Sequence, residues 1–578
     1  MNHRKLRIFA LSALALAALC VLDAPARACG GFFCSSQQGV NQAAERIIFA
    51  DNGDGTITAV IQIQYQGPSD HFSWLLPIST VPSGDELAVA SDLAFTRLQT
   101  ATNPQYTLTT TFEGACAQRS ANGAVAVDIA PQDESCSDNP LIAGCNSVNV
   151  DASGSIGDFE WSVISVSDPT ADPAAPAVDW LRQNGYDVTP EGAALIAPYL
   201  GDGMHLLALK LVKGADSGSI RPIQITYSAE APMIPIKLTA VAANQDMGVL
   251  TWALSNARAV PFNYNALELN EARINWFNAS SNYNQVVTEA ADAAGGQGFV
   301  TEFAGPSQAL ANVIWTPSDE AQWQSVRGGT YFNFGDLFRA VWSSYSGFNG
   351  FWEGVRRAGV APAGVDFADF KSCPNCYANK IEFSPTQFFD TLEASMIEPM
   401  RSVQRLFDRA PYTTRLYTTL SAAEMTVDPV FVFNPDLPDV SNLHQAERIA
   451  KCGQDDWRIE LPQGSVVRGT TATIGQWPDA LSAQPANYRV SMLARSGEGR
   501  TIEDNASEIQ SVLAAYNARP PSATDGSGVA TKDSGGGGFC SLGARPGGRS
   551  GSLPLTLGLS LLLGASWLRR RRARSFRS

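Results

Sequence analysis

Glu45–Gly67, ERIIFADNGDGTITAVIQIQYQG, reads as two apolar-rich strands joined by DNGDG at Asp51–Gly55. Asn-Gly and Asp-Gly between such runs are the strongest short-range hairpin signal, because these residues tolerate the positive φ of tight turns. The aspartates also suggest a calcium loop. That loop ends on a bidentate glutamate, and Ile61-Gln62-Ile63 stands where it would fall, so the hairpin is the better reading.

Outward from the hairpin the strand texture continues. HFSWLLPIS (His71–Ser79) is a buried strand, and ELAVASDLAFTRLQTATNP carries helical spacing until Pro104. YTLTTTF (Tyr106–Phe112) is a strand. Cys116–Ser155 reads as a loop-rich insertion, and FEWSVISVSD returns to strand. Pro176–Leu200 gives two short helices about an Asn-Gly turn. HLLALKLV, IRPIQITYSA and Met233–Ser255 have the alternating or continuous apolar faces of strands. From Leu267 the texture shifts, and Ala272–Gly296 and Phe388–Arg409 look helical. The fold class is therefore α+β, with a β-rich N-terminal half carrying inserted helices and a more helical second half.

The two ends of the chain are of another kind. A basic start, MNHRKLR, leads into an apolar run from Ile8 to Leu22, and Ala26-Arg27-Ala28 meets the small-x-small cleavage rule. This is a secretion signal over residues 1–28, leaving Cys29 first. A lipoprotein signal also ends at a cysteine, but Pro25 and Arg27 fit it poorly. At the other end, Leu553–Leu568 is uncharged and is followed at once by Arg569, Arg570, Arg571 and Arg572. Its 16 residues would make a helix of about 24 Å, short for a hydrocarbon core of about 30 Å unless flanking residues extend it. The arginines set its C-terminus in the cytoplasm, so the body faces the periplasm or the exterior. A Gly/Ser/Pro-rich tether, residues 516–540, joins body to anchor, residues 541–578. The body divides by texture at 265, into 29–265 and 266–515.

The whole chain carries −15, while the leader carries +3 and the tail from Ser541 carries +8, so the body holds about −26. A body so acidic does not suit nucleic acid. Of ten cysteines, Cys20 leaves with the leader and Cys540 belongs to the tail. Cys29, Cys34, Cys116, Cys136, Cys145, Cys373, Cys376 and Cys452 remain. An even number in an exported chain reads as disulfides. With five early and three late, at least one bridge crosses if all eight pair. CPNC at Cys373–Cys376 admits a redox motif, or a metal half-site completed by His444 and Cys452. Neither has its surrounding pattern, so a structural disulfide is preferred, with no metal and no cofactor expected.

The blocks ACGGFFC (Ala28–Cys34), ERIIFA, HFSWLLPI, WLRQNGYDV, LALKLV, Arg221–Leu254 and GGQGFVTEFAG follow one another in order. Together they resemble the bacterial family known as domain of unknown function 2330, over about Ala28 to Pro306. The resemblance implies an exported bacterial protein with a cysteine-flanked hexapeptide after its leader and no established activity. On that reading Cys29 and Cys34 pin the mature N-terminus by disulfide bonding. Phe32 and Phe33 anchor it in the core, and Gly30 and Gly31 allow the tight path between. The tail resembles the C-terminal sorting signals of myxobacterial surface proteins, in which cleavage near a cysteine, here Cys540, releases the protein to the surface.

The mature chain keeps His71, His205 and His444. Asp70 and Ser73 near His71 do not make a triad, because adjacent strand residues point to opposite faces. There is no G-x-S-x-G, HExxH, P-loop or dinucleotide fingerprint. Two functions from different classes follow. The favoured one is a non-enzymatic, membrane-tethered ectodomain binding an envelope protein or glycan. The other is a carboxylate-based hydrolase of an envelope or extracellular polymer.

Overall fold

The computed structural model describes residues 41–518, apart from 67–72, 114–147, 158, 167–173, 187, 189, 212–219, 242, 453, 471–472 and 474. Cys29, Phe32, Phe33, Cys34, His71, Cys116, Cys136, Cys145, Cys540 and Arg569–Arg572 lie outside the described residues, as do the leader, the tether from residue 519 and the apolar span. Among the described residues no helix is long and apolar enough to cross a membrane.

The hairpin forms as β1 (Asn41–Asp51) and β2 (Thr56–Gln66), antiparallel from Asn41↔Gln66 to Asp51↔Ile57. Gly53 and Gly55 take φ of 76° and 86° in the turn. Asp51 and Asp54 accept the backbone N–H groups of Gly53 and Thr56. The aspartates are thus turn formers of the Asx kind.

Next come β3 (Ser73–Ile78), β4 (Leu87–Val89), a helix at Asp92–Thr102 and β5 (Gln105–Glu113). β6 (Val148–Ile156) and β7 (Phe159–Val166) precede helices Ala174–Gln183 and Pro190–Gly201. β8 (His205–Leu211), β9 (Ile223–Ser228), a short helix Ile236–Thr239, β10 (Ala243–Ser255), β11 (Arg258–Pro261) and β12 (Asn265–Leu269) follow. Helix Tyr283–Ala293 leads to β13 (Gly298–Pro306). A helical insertion, Pro317–Arg327 through Glu398–Arg409, then intervenes before β14 (Tyr412–Leu420). The described chain ends with β15 (Phe431–Asn434), β16 (Leu443–Lys451), β17 (Asp456–Glu460), β18 (Val466–Thr470), β19 (Asn487–Met492), β20 (Arg500–Asp504) and helix Ala506–Ala518. The protein is mixed α+β with a β-rich N-terminal half.

Two expected boundaries move. The insertion read as loop from Cys116 to Ser155 is strand from Val148, because VNVDASGSI pairs through its backbone with β7. Its side chains are mostly exposed, so it carries no apolar alternation to read. The run read as strand from Met233 to Ser255 breaks after Pro235 into helix Ile236–Thr239, and strand resumes at Ala243.

The frame is a ten-stranded sheet in the order β20-β19-β12-β13-β14-β10-β1-β2-β9-β4. It is mixed: β1 lies parallel to β10 and β12 parallel to β13. Strands from before and after residue 265 share it. Its middle is buried on both faces, so the apolar runs there are continuous. Ile47, Phe49, Ile57, Ala59, Val249 and Ala253 face a core shared with the sheet β3-β8-β7-β6 and the helices after β7. Ile48, Ala50, Val60, Leu250, Trp252 and Leu254 face helix Asp92–Thr102 and the helical insertion. A third core joins β12, helix Tyr283–Ala293, the sheet β18-β17-β16-β5 and the last helix. Trp252, with Phe95 6.1 Å away between ring centroids, is fully buried. Truncating such a side chain to alanine costs about 3–5 kcal/mol.

Candidate functional site

Cys373 and Cys376 are bonded to each other, with Cα atoms 5.4 Å apart. Cys452 is also disulfide-bonded. None of the three is therefore a thiolate ligand, and among the described residues no group of His, Cys, Asp and Glu could hold a metal ion. The fourth member of that metal set, His444, points elsewhere. Its Nδ1 lies 2.6 Å from Glu271 Oε1. Its ring stacks on Tyr106, centroids 4.5 Å apart, across the parallel pair β5–β16. His205 likewise finds Asp151, at 3.0 Å.

Tyr106 opens onto a buried polar network that the sequence does not announce. Its ring lies 6.0 Å from that of Tyr283, whose hydroxyl donates to Glu302 Oε1 at 2.5 Å. Glu302 sits at a register shift in β13, where Thr301 and Phe303 oppose adjacent residues of β14. Such a bulge re-aims a side chain. Here the Glu302 carboxylate meets Arg415 Nε at 2.6 Å, with 1% and 4% of the two side chains exposed. Arg415 also donates to Thr102, to the carbonyl of Gln99 and to Asn103, at the end of helix Asp92–Thr102. A cation is favoured at that C-terminal pole. Burial pushes the Tyr106 and Tyr283 hydroxyls well above their ordinary range, and neighbouring glutamates add to the shift. Both stay neutral, and Tyr283 acts as the hydrogen-bond donor. The network ties β5 and β16 to the central sheet, with its charges committed to one another.

A surface cleft of about 280 Å³ lies elsewhere, between the segment leading into helix Pro317–Arg327 and one face of helix Glu398–Arg409. Its lining includes Asn312, Trp315, Glu320, Arg401, Arg405 and Asp408. TPSD at Thr316–Asp319 is a capping box: Thr316 Oγ1 accepts the Asp319 N–H, and Asp319 accepts the Thr316 N–H. Arg97 clamps Asp319 through two hydrogen bonds of 2.6 and 3.1 Å. Gln404 Oε1 accepts the backbone N–H groups of Ile314 and Trp315, and its amide donates to Asp408. Asn312 has a φ of 61°, one of two non-glycine residues at positive φ among those described. Such a conformation at a non-glycine residue is held by its surroundings.

Glu320 is fixed from several sides. Trp315 Nε1 donates to it at 2.7 Å, and Arg401 grips it with Nε and Nη2 at 2.9 and 2.8 Å. Burial pushes its carboxyl up, but hydrogen bonds from Gln324, Trp315 and Arg401 outweigh that and hold it below the usual carboxylate range. The Arg401 guanidinium lies 5.9 Å over the Trp315 ring and pairs also with Glu393. The cleft thus offers fixed charges of both signs. Its volume is just under the low end of the usual ~300–1,000 Å³ for ligand pockets, room for one sugar ring or one side chain. The only legible sign of it is the capping box, which marks a helix start and not a cleft.

Fold and site together define a mixed α+β protein on one large sheet, with a small charged cleft and no recognised catalytic constellation among the described residues. The family described as "Uncharacterized protein conserved in bacteria (DUF2330)" matches residues 23–313, half of the chain, and the protein belongs to that family. No curated protein and no solved structure matches it.

Proposed function

We propose that this chain is an exported cell-envelope or surface protein, tethered through its C-terminal span, whose body binds an envelope protein or glycan without altering it. The observation that supports this reading is the state of Glu320. A two-carboxylate hydrolase needs one carboxyl protonated near neutral pH to serve as acid. Both oxygens of Glu320 are instead engaged, by Arg401, Trp315 and Gln324, so it serves neither as that acid nor as a free base or nucleophile. Fixed acceptors at Glu320 and Asp408 beside donors from Arg401 and Arg405 suit hydroxyl or amide groups, which donate and accept alike. The bonded Cys373, Cys376 and Cys452 fit an oxidising compartment.

The test exposes the purified protein to envelope glycan fragments and to envelope proteins, beside Arg401→Ala and Asp408→Asn variants. Retention of an unaltered ligand that weakens by about tenfold or more in Arg401→Ala supports binding, a loss of about 1.4 kcal/mol. Steady release of shortened polymer, abolished in Asp408→Asn, supports the hydrolase instead. Topology is read separately, with an epitope placed before Gly535 and protease added to intact cells or spheroplasts. Digestion of the epitope places the body outside, and its protection refutes the anchoring.

A further inference from the structure

The Cys373–Cys376 bond does little that a structural disulfide is for. A disulfide stabilises mainly by restraining the unfolded chain, and the effect grows with the loop it closes. This one spans a sequence separation of 3. The segment around it is held by other means. Asp366 caps helix Phe367–Ser372 through the Ala368 N–H. Phe370 is fully buried, the Cys373 N–H donates to the Phe370 carbonyl, and the Cys376 N–H donates to the Cys373 carbonyl. Cys373 is half-exposed and Cys376 exposed, at the seam between that helix and the turn Pro374–Lys380. Half-exposed aromatic residues surround the seam: Tyr377 lies 6.1 Å from Phe370 and Trp352 6.2 Å from Phe367, and Lys371 Nζ sits 5.7 Å over Trp352.

We propose that Cys373–Cys376 is a reversible thiol–disulfide exchange site, reduced by an exported dithiol protein. Sites of this kind need an accessible sulfur, a bond whose opening leaves the fold intact, and a surface on which a polypeptide can rest. All three are present here. In the exchange, a thiolate of the partner attacks one sulfur, forms a mixed disulfide and expels the other sulfur as thiolate, which takes up a proton. The partner's second thiol, once deprotonated, then attacks the mixed disulfide and releases the first cysteine, which is protonated in turn. Two electrons and two protons pass to this protein, and the partner leaves as its disulfide.

The experiment treats the folded, exported protein with graded dithiothreitol, then alkylates it and counts labelled cysteines by peptide mass spectrometry. The Cys373–Cys376 peptide is expected to open at a thiol concentration about tenfold or more below that which opens the bond at Cys452, with the near-ultraviolet circular dichroism unchanged. A Cys376→Ser variant is expected to form a mixed disulfide with oxidised glutathione at Cys373. Opening only together with Cys452, or only with loss of the folded spectrum, overturns the proposal. So does failure of the Cys373→Ser/Cys376→Ser double variant to fold, since the bond is then structural.

Discussion

Arg221 and Glu353 meet in an ion pair of 2.7 Å with 1% and 4% of their side chains exposed. Arg221 lies just before β9 in the central sheet, and Glu353 lies on helix Phe351–Arg357 of the insertion. Arg221 also donates to the Ala90 carbonyl at 3.2 Å, and Arg357 reaches Glu353 from outside at 3.2 Å. Gly350, at φ 86°, gives the pair its room, because a Cβ there would lie 2.8 Å from Arg221 Nη1 and 2.2 Å from the Ser395 carbonyl oxygen. A desolvated ion pair therefore fixes where the helical insertion sits on the sheet.

Breaking that pair from one side leaves a charge buried alone. Glu353→Gln is expected to destabilise the protein by about 3–5 kcal/mol, whereas Arg221→Met with Glu353→Leu costs less than the single change. Urea unfolding of the three proteins decides it. A double variant no more stable than the single one would contradict the reading.

Asp92 gives a pH dependence of known sign. It opens helix Asp92–Thr102 and accepts from Gln62 at 2.7 Å. Burial pushes its carboxyl up to about 6, against the pull of Gln62, Arg221 and Arg46. The folded protein thus holds a proton that the unfolded chain releases near pH ~3.9. The stability from this group is full below about pH 4 and is lost as pH rises through about 6. Asp92→Asn keeps the hydrogen bond and removes the titration. Relative to wild type it should gain steadily from pH 4 to 7, by about 3 kcal/mol at most. Parallel curves of unfolding midpoint against pH would show that Asp92 is not the titrating group.

Tyr283→Phe isolates one hydrogen bond of the buried network. It removes the donor to Glu302 Oε1 while the ring's packing stays. A buried carboxylate oxygen left without its donor costs about 1–3 kcal/mol. Tyr516→Phe, on the last helix, is the matched control and should change stability little. Equal effects in thermal unfolding would remove the special role given to the network.

What the sequence made legible follows from local chemistry. DNGDG forced a turn through two glycines at positive φ, and Ile47 to Ala50 forced a strand buried on both faces. The helix at Glu398–Arg409 showed its apolar stripe. What was illegible depends on distant pairing. Glu302 and Arg415 lie far apart in the chain and meet because β13 and β14 pair across the whole helical insertion. β6 escaped because its partner, not its own side chains, makes it a strand. The cleft escaped because Trp315 and Glu320 on one segment meet Arg401 from another, a packing that no spacing rule contains.

The bond at Cys452 carries the last prediction. With Cys373 and Cys376 joined to each other, the partner of Cys452 lies outside the described residues. The strands around it narrow the choice. β5 and β16 run parallel and pair from Gln105↔Leu443 to Glu113↔Lys451. The Cys452 N–H donates to the Glu113 carbonyl at 3.0 Å. Cys116 follows Glu113 by only three residues, a chain reach of at most about 11 Å. A disulfide needs Cα atoms about 4.4–6.8 Å apart, a spacing that lies within that reach. Cys136 and Cys145 stand 20 and 29 residues beyond Cys116, too far along the chain for the Glu113–Cys452 contact to limit their reach. Cys116–Cys452 is therefore expected to be the bridge that crosses from the first third of the chain to the last. Because it closes a loop of more than three hundred residues, it should stabilise the protein by about 4–6 kcal/mol through restraint of the unfolded chain. Peptide mapping under non-reducing conditions would show the two peptides linked, and Cys116→Ser should free Cys452 to alkylation. A Cys452 peptide linked to Cys29, Cys34, Cys136 or Cys145 instead would refute the assignment.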